Sequence, residues 1–228
     1  MVRFPSPPLF WYDNYLLSDA VLEHNKTEGT VVKMDFLLDE DKKQDLFDVI
    51  EKDLYKDRVI NLTDSVSSYI IDSVVGMIQH INLEDDKKSV LVSERKPIKL
   101  YINSYGGSVY DGWSIVSAIV NSKTPIYTYV EGYAMSMGLA LFMAGRKRFI
   151  SKYATLMYHE LSSRLEGSRE EIRRATEEYD RLQDMYDDFI IERSGLTKDE
   201  LKDHHSKVSD WFISSKVAIE KKLATDII

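Results

Sequence analysis

The 228-residue chain contains no cysteine. Disulfides, thiolate nucleophiles and cysteine-ligated metals are excluded, and a reducing compartment is compatible with the composition. No apolar run reaches the ~18 residues of a bilayer span, and no signal peptide opens the sequence. The expectation is a soluble, cytoplasmic protein with no membrane partner. Basic residues are outnumbered: 30 Lys and Arg stand against 38 Asp and Glu, a formal charge of −8. With no long basic cluster either, nucleic acid is not an expected partner. No G-x-x-x-x-G-K-[ST] run is present, so any ATP requirement must come from a partner. No His-Glu-x-x-His occurs. Asp203, His204 and His205 are adjacent on a helix and do not face one site, so they read as a solvated helix end, not a metal centre. No cofactor and no metal are expected.

What remains is an ordinary globular composition, 43% hydrophobic, long enough for one substantial core. Residues 1–45 have a different texture. Phe4-Pro5-Ser6-Pro7-Pro8 resists regular structure, Phe10, Trp11 and Tyr12 form an aromatic cluster, and Val31 to Leu38 could be a strand. This stretch reads as an N-terminal arm, and 46–228 as the body.

Within the body, short β-branched runs alternate with helical periodicity. Strands are expected at Val59–Leu62, Ile98–Ile102, Ile126–Val130, Arg148–Ile150 and Thr155–Tyr158. Between them, a helix capped at Thr63 or Asp64 runs from Ser65 to about Ile81, and a second runs from Val109 to Val120. The second is expected to bury Trp113, Val116, Ile119 and Val120. Leu83 to Pro97 reads as a charged loop. The alternation implies βαβ units and a mostly parallel α/β sheet. Ser168 with Glu171 makes a capping box for a long helix over 168–194. Its Ile172, Ala175, Tyr179, Leu182, Tyr186 and Phe189 step as a heptad seam, the spacing of helix-to-helix pairing with another subunit. A short helix at Thr197–His205, an edge strand at Asp210–Ile213 and a helix at Lys216–Leu223 close the chain.

The organising stretch is Gly132-Tyr133-Ala134-Met135-Ser136-Met137-Gly138, followed by the apolar run Leu139–Ala144. It places Ser136 where a strand turns into a buried helix. The first N–H groups of a helix lack internal partners and favour negative charge. A serine there can attack a carbonyl while the Met137 N–H faces the oxyanion that forms. The alternative is a capping hydroxyl. Two further features fall at strand ends: the pair Gly106-Gly107 after Ile98–Ile102, and His159 after Thr155–Tyr158. In a parallel sheet the carboxyl ends of strands line the site crevice.

Tyr101-Ile102-Asn103-Ser104-Tyr105-Gly106-Gly107, the Gly132–Gly138 stretch and Leu156-Met157-Tyr158-His159 together resemble the ClpP family, the proteolytic subunits of ATP-dependent Clp proteases. The family patterns read I-N-S-P-G-G, G-x-A-A-S-M-G and M-I-H-Q-P. The likeness runs from about Leu54 to the end of the chain. It implies a ClpP/crotonase-like fold, with the 168–194 helix as the handle that pairs stacked seven-membered rings. Ser136 would be the nucleophile, His159 the general base and then acid, and the N–H groups of Gly106 and Met137 the oxyanion hole. Polypeptides would be the substrate and an AAA+ unfoldase the ATP-consuming partner. Tyr105 stands where the family has proline, Glu160-Leu161 where it has Gln-Pro, and Ser162–Gly167 where it has a glycine-rich strand and turn. The third triad member is open: counting from either side lands on Ser206 or His204, with Asp203 and Asp210 as neighbouring carboxylates. Three other functions share these features: a structural, weakly active subunit of a mixed complex, a capsid-maturation protease, and a crotonase-like acyl-CoA enzyme that would not need Ser136.

Overall fold

The computed structural model describes residues 49–228 apart from 51, 164, 208 and 209. The expected arm over 1–45, its aromatic cluster and its candidate strand lie outside the described residues, as does the expected start of the body at Leu46. Five strands form one wholly parallel sheet: β1 (Val59–Leu62), β2 (Ile98–Ile102), β3 (Ile126–Val130), β5 (Lys147–Ile150) and β8 (Asp226–Ile227), in that spatial order. Expected as a buried run, β3 instead alternates buried and half-exposed residues, as β2 does. Ile98, Leu100 and Ile102 turn into the core while Lys99 and Tyr101 face outward. On that outer face Tyr101, Tyr129 and Phe149 stack in a ladder, each step 4.7 Å between ring centres.

A second, three-stranded sheet carries β4 (Tyr133–Met135), β6 (Thr155–Tyr158) and β7 (Trp211–Ser214). β4 and β6 are parallel; β7 runs antiparallel to β6 at the edge. The helices are α1 (Ser68–Lys87), α2 (Val109–Val120), α3 (Met137–Ala144), α4 (Arg169–Glu192), α5 (Lys198–Ser206) and α6 (Ser215–Glu220). Every residue of α3 is buried, so this helix is the centre of the core and not a surface element. The mixed α/β architecture with a mostly parallel sheet is the expected one.

Five local expectations are corrected. α1 begins at Ser68, and its N-cap is Ser67, whose side chain makes no capping bond. It continues to Lys87, so the first part of the expected charged loop is helical. The charges there are used inward: Asp85 is buried and binds Arg58 Nη2 at 2.5 Å and Thr124 Oγ1 at 2.8 Å. Arg95 and Lys123 both hold Asp86. The buried stripe of α2 is Gly112, Ile115, Val116 and Ile119; Trp113 is half-buried and Val120 exposed. The closing helix is shorter than expected and is followed by β8, which pairs with β5. The heptad seam of α4 divides: Leu182 and Tyr186 are buried in this subunit's own body, whereas Ile172 is exposed and Ala175 and Tyr179 are half-exposed.

Candidate active site

The site is assembled by β4, the short strand that the sequence pattern did not reveal. Ser136 therefore follows β4 of the second sheet, not the Ile126–Val130 strand. The loop after β2 is laid along β4: Ser104 N–H donates to Tyr133 O at 3.1 Å, and Met135 N–H donates to Ser104 O at 3.0 Å. Ala134 lies opposite Leu156 of β6, and Leu156 opposite Ile213 of β7. Ser104, Ala134, Leu156 and Ile213 thus form one row across four adjacent segments. Moving beyond that row at one end reaches Gly106, Ser136 and His159. β7 runs the other way, so Asp210, the residue before it, comes to the same end. Adjacent strands are about 4.8 Å apart.

Ser136 occupies the N-cap of α3 with φ +52°, ψ −125°. Positive φ is uncommon for a residue with a side chain and marks a sharp turn held by its surroundings. Ser136 N–H donates to Met157 O at 2.9 Å, and Tyr186 Oη donates to Ser136 O at 2.9 Å. The hydroxyl makes no capping bond. The capping alternative is therefore not the role it plays, and Oγ is left for other chemistry.

Gly106 presses against this turn. It adopts φ +93°, and a Cβ placed on it would lie 2.7 Å from Ser136 Cβ and 2.9 Å from Met137 N. Only glycine leaves that space open beside the hydroxyl-bearing residue and the first helical N–H. The N–H of Gly106 itself is engaged, donating to Ser104 Oγ at 3.1 Å. The N–H of Gly107 has no hydrogen-bond partner among the described residues. At the first turn of α3, Met137 N–H has no partner within the helix.

His159 is one-quarter exposed, and its Nδ1 lies 3.8 Å from Asp210 Oδ1. Of the carboxylates left open by the sequence, Asp210 is the one facing His159; Asp203 pairs with Lys207 on the outside of α5. A cavity of about 230 Å³ opens beside this pair, lined in part by His159, Glu160, His204, His205 and Asp210. The histidine pair of α5 is thus not a solvated helix end. His204 stacks on Trp211 with ring centres 4.1 Å apart, and burial pushes its pKa down. His205 packs against Tyr158 and Asp187. Burial raises the Asp187 carboxyl, against the pull of hydrogen bonds from Tyr158 and Gln183. Burial and Asp187 together raise the Tyr158 phenol. Among the described residues no group of three or more His, Asp or Glu side chains could hold a metal ion, and no helix is long and apolar enough to cross a membrane.

A family model described as Clp protease matches residues 41–228. The chain is 29% identical over 184 residues to the ATP-dependent Clp protease proteolytic subunit 2 of Synechococcus sp. (strain CC9605), which covers 80% of this chain and 88% of the relative. It is likewise 29% identical over 177 residues to the ATP-dependent Clp protease proteolytic subunit 1 of Prochlorococcus marinus (strain MIT 9312), covering 77% of this chain and 85% of the relative. The family match runs through both sheets and every segment that carries Gly106, Ser136, His159 and Asp210, and the chain belongs to the Clp protease family.

Proposed function

We propose that this chain is a serine endopeptidase subunit that cleaves unfolded polypeptides inside an oligomeric chamber. The observation that carries the reading is Ser136: a strained turn at the mouth of a buried helix, with a hydroxyl that caps nothing, one strand from His159. In the proposed reaction Ser136 Oγ attacks the scissile carbonyl carbon while His159 takes its proton. Asp210 faces Nδ1, which leaves Nε2 to exchange protons with Ser136 and places a negative charge beside the imidazolium that forms. The oxyanion is received by Met137 N–H and the glycine loop. Gly106 N–H serves there if Ser104 Oγ releases it; Gly107 N–H is the free donor beside it. Each such donor is worth about 10²–10³ in kcat. Collapse of the tetrahedral intermediate breaks the C–N bond, and His159 gives its proton to the leaving amine. Water then repeats the sequence on the acyl-enzyme.

The body over 46–228 would carry this chemistry and 1–45 would be an appended arm. The first half of α4, with Ile172 exposed and Ala175 and Tyr179 half-exposed, supports pairing with another copy, as in stacked seven-membered rings. The printed names of the relatives, ATP-dependent proteolytic subunits, support a separate AAA+ unfoldase as partner, since this sequence has no phosphate-binding loop of its own. A second reading, a weakly active structural subunit, is favoured by one distance: 3.8 Å between His159 and Asp210 exceeds a hydrogen bond. Loss of the orienting acid costs about 10⁴ in kcat in a well-studied serine protease. Turnover of fluorogenic peptides by the assembled protein separates the readings. Hydrolysis abolished by Ser136→Ala is expected; hydrolysis unchanged in Ser136→Ala, or thioester turnover that survives it, overturns the serine mechanism.

A further inference from the structure

Behind His159 lies a polar cluster that the proposed chemistry does not use. Tyr158 Oη donates to Asp187 Oδ1 at 2.5 Å and also lies 2.5 Å from His205 Nε2. A tyrosine has one hydroxyl hydrogen, and with Asp187 ionised it goes to the carboxylate. The second contact therefore needs a hydrogen on His205 Nε2. Gln183 Nε2 donates to the same Asp187 oxygen at 2.7 Å, which turns its Oε1 toward the Leu161 N–H, also at 2.7 Å. Each hydrogen bond in the cluster thus has one direction. Tyr158 and Gln183 are buried, and the side chains of Asp187 and His205 are only 13% and 20% exposed.

What the cluster holds is specific. Gln183 and Asp187 are one turn apart on α4. Through Tyr158 and Leu161 they grip both flanks of the His159-Glu160 pair. Tyr186, on the same turn, donates to Ser136 O at 2.9 Å and stacks on Tyr158. Through His205 they hold α5, the helix that leads to Asp210, while His204 stacks on Trp211, the residue after it. One turn of α4 therefore touches the backbone of Ser136, the two sides of His159 and the approach to Asp210.

We propose that the Tyr158–Asp187–His205 cluster is the positioning device of the site, setting the His159 ring against Ser136 on one side and Asp210 on the other. The proposal rests on reading Ser136 and His159 as the reacting pair. None of the three cluster residues touches the reacting atoms; they act through His159. A ring displaced by ~1 Å costs on the order of 10²-fold in rate, and a shift of that size decides whether the 3.8 Å separation from Asp210 closes to a hydrogen bond or opens further.

The test uses the assembled full chain, peptide hydrolysis and crystal structures of the variants. Tyr158→Phe and Asp187→Ala are expected to lower kcat about 10²-fold with KM within about twofold. Asp187→Asn keeps an oxygen for both Tyr158 and Gln183 and is expected to stay within about threefold of wild type. The crystal structure of Tyr158→Phe is expected to show the His159 ring moved by ~1 Å. Wild-type kcat in Tyr158→Phe, equal losses in Asp187→Asn and Asp187→Ala, or an unmoved ring would each overturn the proposal. If Tyr158→Phe fails to assemble, His205→Ala against His205→Gln decides. The glutamine amide can replace the lost N–H donor, so rescue supports the proposal, and two variants that both match wild type refute it. A wild-type protein that hydrolyses no peptide counts against the proposed function instead; the position of the His159 ring still decides the positioning claim.

Discussion

Replacing Gly106 by alanine puts the geometry of the site to a quantitative test. The new Cβ would lie 2.7 Å from Met135 O, 2.7 Å from Ser136 Cβ and 2.9 Å from Met137 N. All three are well inside van der Waals contact, and none is the end of a flexible side chain. The φ of +93° adds a penalty of about 1–2 kcal/mol for any residue with a Cβ. Neither wall can retreat freely. The loop is tied to β4 through Ser104, and the Ser136 turn is tied to Met157 and Tyr186. Relief must come from shifting the loop against the turn, which is where the oxyanion would sit. The expected result is a loss of about 2–4 kcal/mol of stability and a fall in kcat of at least 10²-fold, the scale of losing one oxyanion donor. Peptide hydrolysis and denaturant unfolding read the two effects separately. Gly76, on α1 with no heavy atom within 4 Å of an added Cβ, is the control. Gly76→Ala is expected to stabilise by about 0.5–1 kcal/mol and leave kcat unchanged. A folded Gly106→Ala protein with wild-type turnover would refute the placement of the glycine loop against the serine.

Two further outcomes follow from the charged groups. Asp210→Asn is expected to lower kcat at least ~10-fold by removing the charge beside Nδ1, whereas Asp203→Asn on the exposed side of α5 should stay within about twofold; steady-state kinetics of the two variants compares them. Asp85→Ala strands the partly buried Arg58 and is expected to cost about 3–5 kcal/mol in urea unfolding. The hydrogen bond from Arg58 holds Asp85 below the usual carboxylate range. A depressed native pKa gives stability that is complete above the unfolded value, near 3.9, and is lost as pH falls through the native one. Stability measured from pH 7 down to pH 3 should therefore fall in wild type more steeply than in Asp85→Ala, and parallel curves would contradict the assignment.

Much of the fold was legible because its strands are short, β-branched and bounded by turn residues, and because helices separate them. Gly106 and His159 stand just beyond the strands after which the pattern put them, whereas Ser136, expected after Ile126–Val130, follows β4 instead. β4 was not legible, since Tyr133-Ala134-Met135 carries no periodicity and becomes a strand only by lying between Ser104 and β6. Asp210 was open because its place depends on the direction of β7, a property of the sheet. A strand at Asp210–Ile213 was readable, and knowing that it runs antiparallel would have brought its first residue to the end where His159 stands. His205 read as part of a solvated helix end with Asp203 and His204, and it is Asp187 of α4, distant in sequence, that draws it inward. The same holds for the end of α1, where Asp85 finds Arg58 across 27 residues. The heptad pattern of α4 divides in the structure, with Leu182 and Tyr186 packed into this subunit's own core and Ile172 left exposed.

Covalent capture tests the role of the Ser136 hydroxyl most directly. A fluorophosphonate reacts with a serine only when a neighbouring base draws off its proton, so the assembled protein should be labelled on Ser136, as mapped by mass spectrometry. Labelling should slow by at least ~10²-fold in His159→Ala, the low end of what a positioned base contributes. An assembled protein left unlabelled at Ser136, or one labelled equally fast without His159, would contradict a serine primed by the histidine of the adjacent strand.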